Sequence, residues 1–181
     1  MVEEARLVES ESGLEPEGPG WFVVNARDAA WWRQRDVFGH VCRFEGNEAS
    51  HFPELGINLR VLQPGQPNCR YHGQSSQEDF LVLSGECLAL IEGQERRLKA
   101  WDFVHCPGGT EHVFVGAGDG PCVILMTGAR REEGDIVYPV SDLALGHGAG
   151  VERETHDPGE AYADLPAPRR ERPAETGLPW Q

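Results

Sequence analysis

The chain has 181 residues, a formal net charge of −14 and 39% hydrophobic residues. This length corresponds to about one domain and allows a hydrophobic core that is stable without disulfide bonds or a structural metal. The negative charge would repel phosphate backbones, so we expect no nucleic-acid partner and no basic contact with a membrane.

The cellular location is predicted from the N-terminus and the cysteines. The first residues show neither the basic region nor the apolar run of a secretory signal, and no apolar stretch approaches the length of a membrane span. The five cysteines are an odd number without Cys-x-x-Cys spacing, which is typical of reduced thiols. We therefore expect a cytoplasmic protein.

Composition divides the chain into three parts. Residues 1–20 are acidic and broken by prolines, which predicts a mobile arm. Residues 21–140 contain the apolar runs and are predicted to form the folded domain, with an N-terminal support segment. Residues 141–181 are rich in Pro, Arg and Glu, and we expect a C-terminal extension that is partly disordered.

One short helix is predicted near the N-terminus. After a possible strand over 21–24, Asn25 is a good N-cap and Asp28 follows it by three residues, so the pattern indicates a helix over 26–33. The pair Trp31 and Trp32 on so short a helix must cover either the core or a partner subunit.

The rest of the domain is predicted to be all-β. Short apolar runs recur every 8–12 residues and are separated by Gly and Pro, which is typical of a sandwich or barrel. No helix of useful length fits between them, which argues against parallel βαβ units. The predicted strands cover 57–62, 68–72, 80–83, 87–91, 95–99, 101–106, 111–115, 122–127 and 136–140, and a helical turn follows over 141–145.

Four residues in this region could meet at a metal ion. His72 and Gln74 are two apart on a strand and point to one face. Glu78 stands at the start of the next apolar run, and His112 begins another strand after the turn at 107–109. Two imidazoles, a carboxylate and an amide oxygen suit Zn, Fe, Mn, Ni or Co.

The spacing of these residues resembles the two motifs of the cupin superfamily, in particular its small single-domain members. The first motif, G-x5-H-x-H-x3,4-E-x6-G, is matched from His72 to Gly85, with Gly65 one residue further upstream than usual. The second, G-x5-P-x-G-x2-H-x3-N, is matched from Trp101 to Gly116, and fifteen residues separate the two motifs. The resemblance covers roughly residues 55–130. It implies a double-stranded β-helix, a jelly-roll barrel with a metal in its mouth.

The resemblance also implies the ligand set, with one altered member. His72, Glu78 and His112 match ligand positions, whereas Gln74 replaces the second His of the first motif. Trp101 and Gly116 replace the leading Gly and the closing Asn of the second motif. Two His and one carboxylate resemble the facial triad of non-haem iron oxygenases, but these ligand types alone do not select iron.

Three functions are compatible with the sequence. The first is a barrel with a divalent metal (Zn, Fe, Mn or Ni) that binds or acts on a small organic molecule, with dioxygenase-like or isomerase-like chemistry. The second is a non-enzymatic small-molecule-binding barrel without a catalytic metal. The third is a structural dimerisation unit. Exposed edge strands favour a homodimer. The sequence assigns no catalytic residue and no organic cofactor, and it identifies neither the ligand nor the metal.

Overall fold

The computed structural model describes residues 1–130 and 134–181, in which strands dominate. Two short helices stand in these ranges, α1 (Asp142–Gly146) and α2 (Pro158–Ala161), together with one 3-10 turn at Glu48–Ser50. The strands β1 to β14 are, in chain order, Arg6–Ser10, Gly13–Glu17, Trp32–Arg33, His40–Cys42, Leu55–Leu62, His72–Gln74, Glu78–Ser84, Glu86–Ile91, Gln94–Lys99, Phe103–Cys106, Glu111–Ala117, Cys122–Ala129, Ile136–Val137 and Arg169–Arg170.

The strands form two facing antiparallel sheets and one separate hairpin. The larger sheet has the order β10-β7-β12-β5-β4-β3-β14, and the smaller has the order β13-β6-β11-β8-β9. β1 and β2 pair only with each other among the named strands. Non-consecutive neighbours in both sheets are typical of a jelly roll. The predicted all-β barrel is confirmed.

Alternation along the strands places a core between the sheets. On β12, Ile124 and Met126 point inward, whereas Val123 and Leu125 point to the outer face. The inner core draws on both sheets, with Phe80 from β7 and Phe114 from β11 in ring contact at 4.6 Å between centroids. One face of each strand therefore fills the barrel, as period-2 side-chain geometry requires.

Segments outside the motifs cover the outer faces of both sheets. Tyr71 packs with Val113 and Val115 under Ala144 of α1, on the outer face of the smaller sheet. On the larger sheet, the rings of Trp31 and Trp180 stack at 5.7 Å. The two extensions are thus part of the packed structure of the barrel.

The predicted N-terminal helix is wrong. Asn25 Oδ1 does accept a bond from the Arg27 amide at 2.9 Å, but the chain makes only one turn. Ala30 N then donates to Leu14 O of the hairpin at 3.0 Å, and Trp32 enters β3. The local capping signal is real, but pairing with a distant strand ends the turn before a helix can form.

Where the sequence predicts a mobile arm over residues 1–20, the structure has the hairpin β1–β2. Its polar groups meet cations from the C-terminal extension: the Glu15 carboxylate is paired with Arg170, and Arg172 Nε donates to the Ser12 carbonyl at 2.9 Å. The extension itself contains α1, α2 and β14, where partial disorder was predicted. The domain boundaries after residues 20 and 140 stay predictions.

Two predicted strands are also misplaced. Residues 21–24 form no strand, although Trp21 makes an isolated bridge with Glu4. The strand predicted over 68–72 begins instead at His72. Asn68 stands before it and accepts a bond from Phe114 N at 2.8 Å through Oδ1, which holds this loop against β11. Across residues 1–130 and 134–181, neither helix is long and apolar enough to cross a membrane.

Candidate metal centre

The two imidazoles of the predicted site face each other across a strand pair. β6 and β11 are antiparallel, and His72 and His112 are direct partners in their register. His72 Nδ1 lies 2.8 Å from Arg70 O, and His112 Nδ1 lies 3.0 Å from Thr110 O. Because a carbonyl only accepts, each Nδ1 carries the proton, and each Nε2 presents a lone pair.

Glu78 supplies a carboxylate oxygen to the same point. It is the first residue of β7, on the opposite sheet, and its Oε2 lies 3.3 Å from His112 Nε2. This close approach is not a hydrogen bond, since Oε2 is buried without a hydrogen-bond partner in the described part of the chain. One ligand atom from each of His72, Glu78 and His112 lies within 4.8 Å of the other two.

Burial sets the charge of all three groups. It lowers the pKa of His72 to about 4 and also lowers the pKa of His112, so both rings are neutral near pH 7. Burial also raises the pKa of Glu78 to about 7, and a hydrogen bond from Gln74 lowers this pKa by a smaller amount. Three electron-pair donors therefore converge, and they require a proton or a cation between them. This donor set fits a divalent metal.

Gln74 lies beside the three donors. It is two residues after His72 on β6, and both side chains line the same cavity, as strand alternation predicts. Its amide interacts with the Glu78 carboxylate, so in this structure Gln74 positions a donor. Its role as a metal ligand stays a prediction.

The donors stand in the wall of a cavity of about 360 Å³ between the sheets. Cavities of about 300–1,000 Å³ commonly hold small-molecule ligands. Tyr138 and Tyr162 close part of the wall from the C-terminal side, and the Tyr138 ring lies 5.9 Å from the His72 ring. A cavity of about 430 Å³ around Arg70 lies outside the barrel site and contains none of the three donors.

Sequence reasoning missed several residues of this cavity. Asn58 and Arg60 on β5 line it. The sequence contained a signal for them, because polar and apolar residues alternate along this central strand and the polar ones take the inward positions. Tyr138 and Tyr162 had no such signal, since they reach the cavity from segments distant in sequence.

The two departures in the second motif fall at positions where the backbone geometry restricts the residue type. Trp101 occupies the usual glycine position with φ of 75°, in the left-handed region that favours glycine. Its amide donates to Val82 O at 2.7 Å, which holds this strained turn on β7. At Gly116 a Cβ would lie 2.2 Å from Gln63 O, so the Asn of the usual motif has no room here.

Comparison with known proteins agrees with this architecture. Residues 58–128 match the family model of the cupin domain. This part of the chain is therefore similar to a cupin domain. The matched residues run from β5 to β12 and include every predicted ligand of the cupin site. No curated protein sequence matches the chain.

Solved structures share the cupin barrel at low sequence identity. A sugar phosphate isomerase of the cupin superfamily from Silicibacter pomeroyi is 25% identical, with a TM-score of 0.51 over 60% of this chain and 69% of its own. KdgF from a Halomonas species is 22% identical, with a TM-score of 0.49 over 63% and 97%. A protein from Acidithiobacillus ferrooxidans is 24% identical, with a TM-score of 0.49 over 54% of this chain and 63% of its own, less than two thirds of its length.

Proposed function

We propose that this cupin barrel holds a divalent metal ion at His72, Glu78 and His112, with Gln74 as a weaker fourth ligand. One observation supports this most directly: Glu78 Oε2 is buried without a hydrogen-bond partner, 3.3 Å from a neutral imidazole nitrogen. An ion at this point would satisfy all three donors at once. Three protein ligands leave a coordination position open, as in catalytic metal sites.

The cavity beside the site takes a small organic molecule as ligand or substrate. Zn, Fe, Mn or Ni would suit the donors, and such an ion supplies Lewis acidity or, for a redox metal, a centre for oxygen. Isomerase-like chemistry is favoured over dioxygenase-like chemistry by the Silicibacter protein, which is named a sugar phosphate isomerase.

The second candidate is a non-enzymatic small-molecule-binding barrel without a catalytic metal. Gln74 favours it, because an amide oxygen stands where an imidazole would strengthen the site. In that case a proton between Glu78 and His112 satisfies the buried oxygen.

Metal titration of the purified protein distinguishes the two candidates. After treatment with a chelator and dialysis, we expect one equivalent of Zn, Mn, Ni or Co to bind, and His112→Ala to lose at least about 100-fold in affinity because an inner ligand is gone. His147→Ala is the matched control, since His147 pairs with Glu95 on the surface at 2.9 Å. Equal affinity in His112→Ala and the wild type would exclude this site.

We further propose a homodimer in the cytoplasm. β10 is an edge strand of the larger sheet; its first residue, Phe103, is 63% exposed, and Trp101 just before it is 75% exposed. Large exposed aromatic residues at a free edge favour pairing with a second copy. Light scattering coupled to size exclusion should give twice the chain mass, and Trp101→Ser with Phe103→Ser should give the monomer mass.

A further inference from the structure

Arg60 is a partly buried cation for which the described part of the chain offers no ion pair. It lies on β5, in the centre of the larger sheet, and its side chain lines the cavity with the metal donors. Nε and Nη1 are both buried and have no hydrogen-bond partner in the described ranges. The Oδ1 atom of Asn58, two residues earlier on the same face, is likewise buried without a hydrogen-bond partner in these ranges.

Two other arginines near the cavity have guanidinium groups that form ion pairs and hydrogen bonds. Arg130 forms two bonds with the Glu45 carboxylate, at 2.7 and 3.0 Å. Arg70 donates to Gly150 O at 2.7 Å and to both Asp164 oxygens at 3.1 Å. Of the three, only Arg60 lacks partners for two of its nitrogens within residues 1–130 and 134–181.

Among the described residues, no carboxylate of the cavity wall takes this role. Glu78 is the acidic residue that lines the cavity, and its close contact is with His112. Across the described residues Arg60 forms no ion pair with it. A buried charge without hydrogen bonds opposes folding, so natural proteins pair such a group or use it to bind an opposite charge. An anionic group in the cavity would supply an acceptor for these two nitrogens.

We propose that Arg60 binds the anionic group of the small-molecule ligand in this cavity. The ligand is then a small organic acid or phosphate ester, since a guanidinium matches both carboxylate and phosphate. Asn58, Tyr138 and Tyr162 line the same cavity beside it. This inference rests on the proposed binding of a small organic molecule in the cavity, but it does not require a metal.

The position of Arg60 also orients the ligand. Arg60 is on the larger sheet, whereas His72 and His112 are on the smaller one, and all three line the same cavity. An anionic group at Arg60 leaves the rest of a small ligand directed toward the His72–Glu78–His112 donors. The anion site thus selects the substrate class and sets its direction relative to the metal site.

A thermal-shift titration tests the proposal in metal-free protein dialysed out of chelator. The probes are succinate, its neutral diamide succinamide, and inorganic phosphate, at equal ionic strength in a chloride buffer. We expect succinate or phosphate to raise the melting temperature by about 2–4 °C near saturation, and succinamide to have no effect. A shift with succinate alone identifies a carboxylate site, and a shift with phosphate alone identifies a phosphate site.

Two variants complete the test. Arg60→Met should lose the anion-dependent shift, whereas Arg97→Met, which removes an exposed arginine paired with Glu86, should keep it. Without ligand, Arg60→Met should melt higher than the wild type, because an unpaired buried charge is gone. A lower melting temperature, an equal anion shift in Arg60→Met, or no shift with either anion overturns the proposal. Arg60→Met should bind metal with the same affinity as the wild type. A failure of the proposed metal site is therefore distinguished from a failure of the anion site.

Discussion

One end of the barrel interior is polar and the other is apolar, although the same strands form both ends. On β7, Glu78 stands in the cavity and Val82 in the apolar core; on β5, Arg60 and Leu62 show the same change two residues apart. Phe80 marks the boundary, with its ring 5.0 Å from His112. The comparison shows that the apolar end of each strand, here called the packing end, lies in the core and fixes the position of the strand. This packing holds in place the other end, here called the polar end, which lines the cavity.

Substitution at the packing end should have the largest effect. Ile124 is fully buried in the inner core, so Ile124→Ala leaves a cavity and should lower the free energy of unfolding by about 3 kcal/mol. Denaturant unfolding measures this. Val140→Ala, at an exposed side chain, is the control and should change it by less than about 0.5 kcal/mol. A loss below about 1 kcal/mol for Ile124→Ala would mean that the core does not hold the barrel.

Substitution at the polar end should act in the opposite direction. Because burial raises the pKa of Glu78 from 4.5 to about 7, the ionised group opposes folding, and stability decreases as the pH rises between these two values. Glu78→Gln should therefore stabilise the metal-free protein at pH 8 by roughly 2 kcal/mol.

The same variant at low pH provides the control. Below pH 4.5 the carboxyl is protonated in both folded and unfolded chains, so the gain from Glu78→Gln should disappear. Denaturant unfolding at pH 8 and pH 4 compares the two conditions. A destabilising effect at pH 8 would show that the polar end contributes to stability like the packing end.

The smallest of these effects concerns Gln74. Gln74→His replaces an amide oxygen by an imidazole and should increase the affinity for Zn or Ni by about tenfold, near 1.4 kcal/mol. Competition with a metal-binding dye measures it. Gln77→His, a short distance along the chain and paired with Asp79 on the surface, is the control. An unchanged affinity would mean that position 74 only positions Glu78.

The barrel strands and three of the donors were predictable because both depend on local spacing. Turn residues separate the strands, and His72, Glu78 and His112 stand at fixed distances from them. The N-terminal hairpin was not predictable, since Glu15 becomes compatible with a packed structure only when Arg170 meets it from the other end of the chain. Arg60 was missed for a related reason: its burial depends on the second sheet.

The stack of Trp31 on Trp180 has a consequence for biosynthesis. The outer face of the larger sheet is covered in part by Leu178 and Trp180, which lie far from Trp31 along the chain and are translated after it. Folding of this face can finish only after they have left the ribosome. Until then a nascent barrel exposes Trp31, which a chaperone can bind.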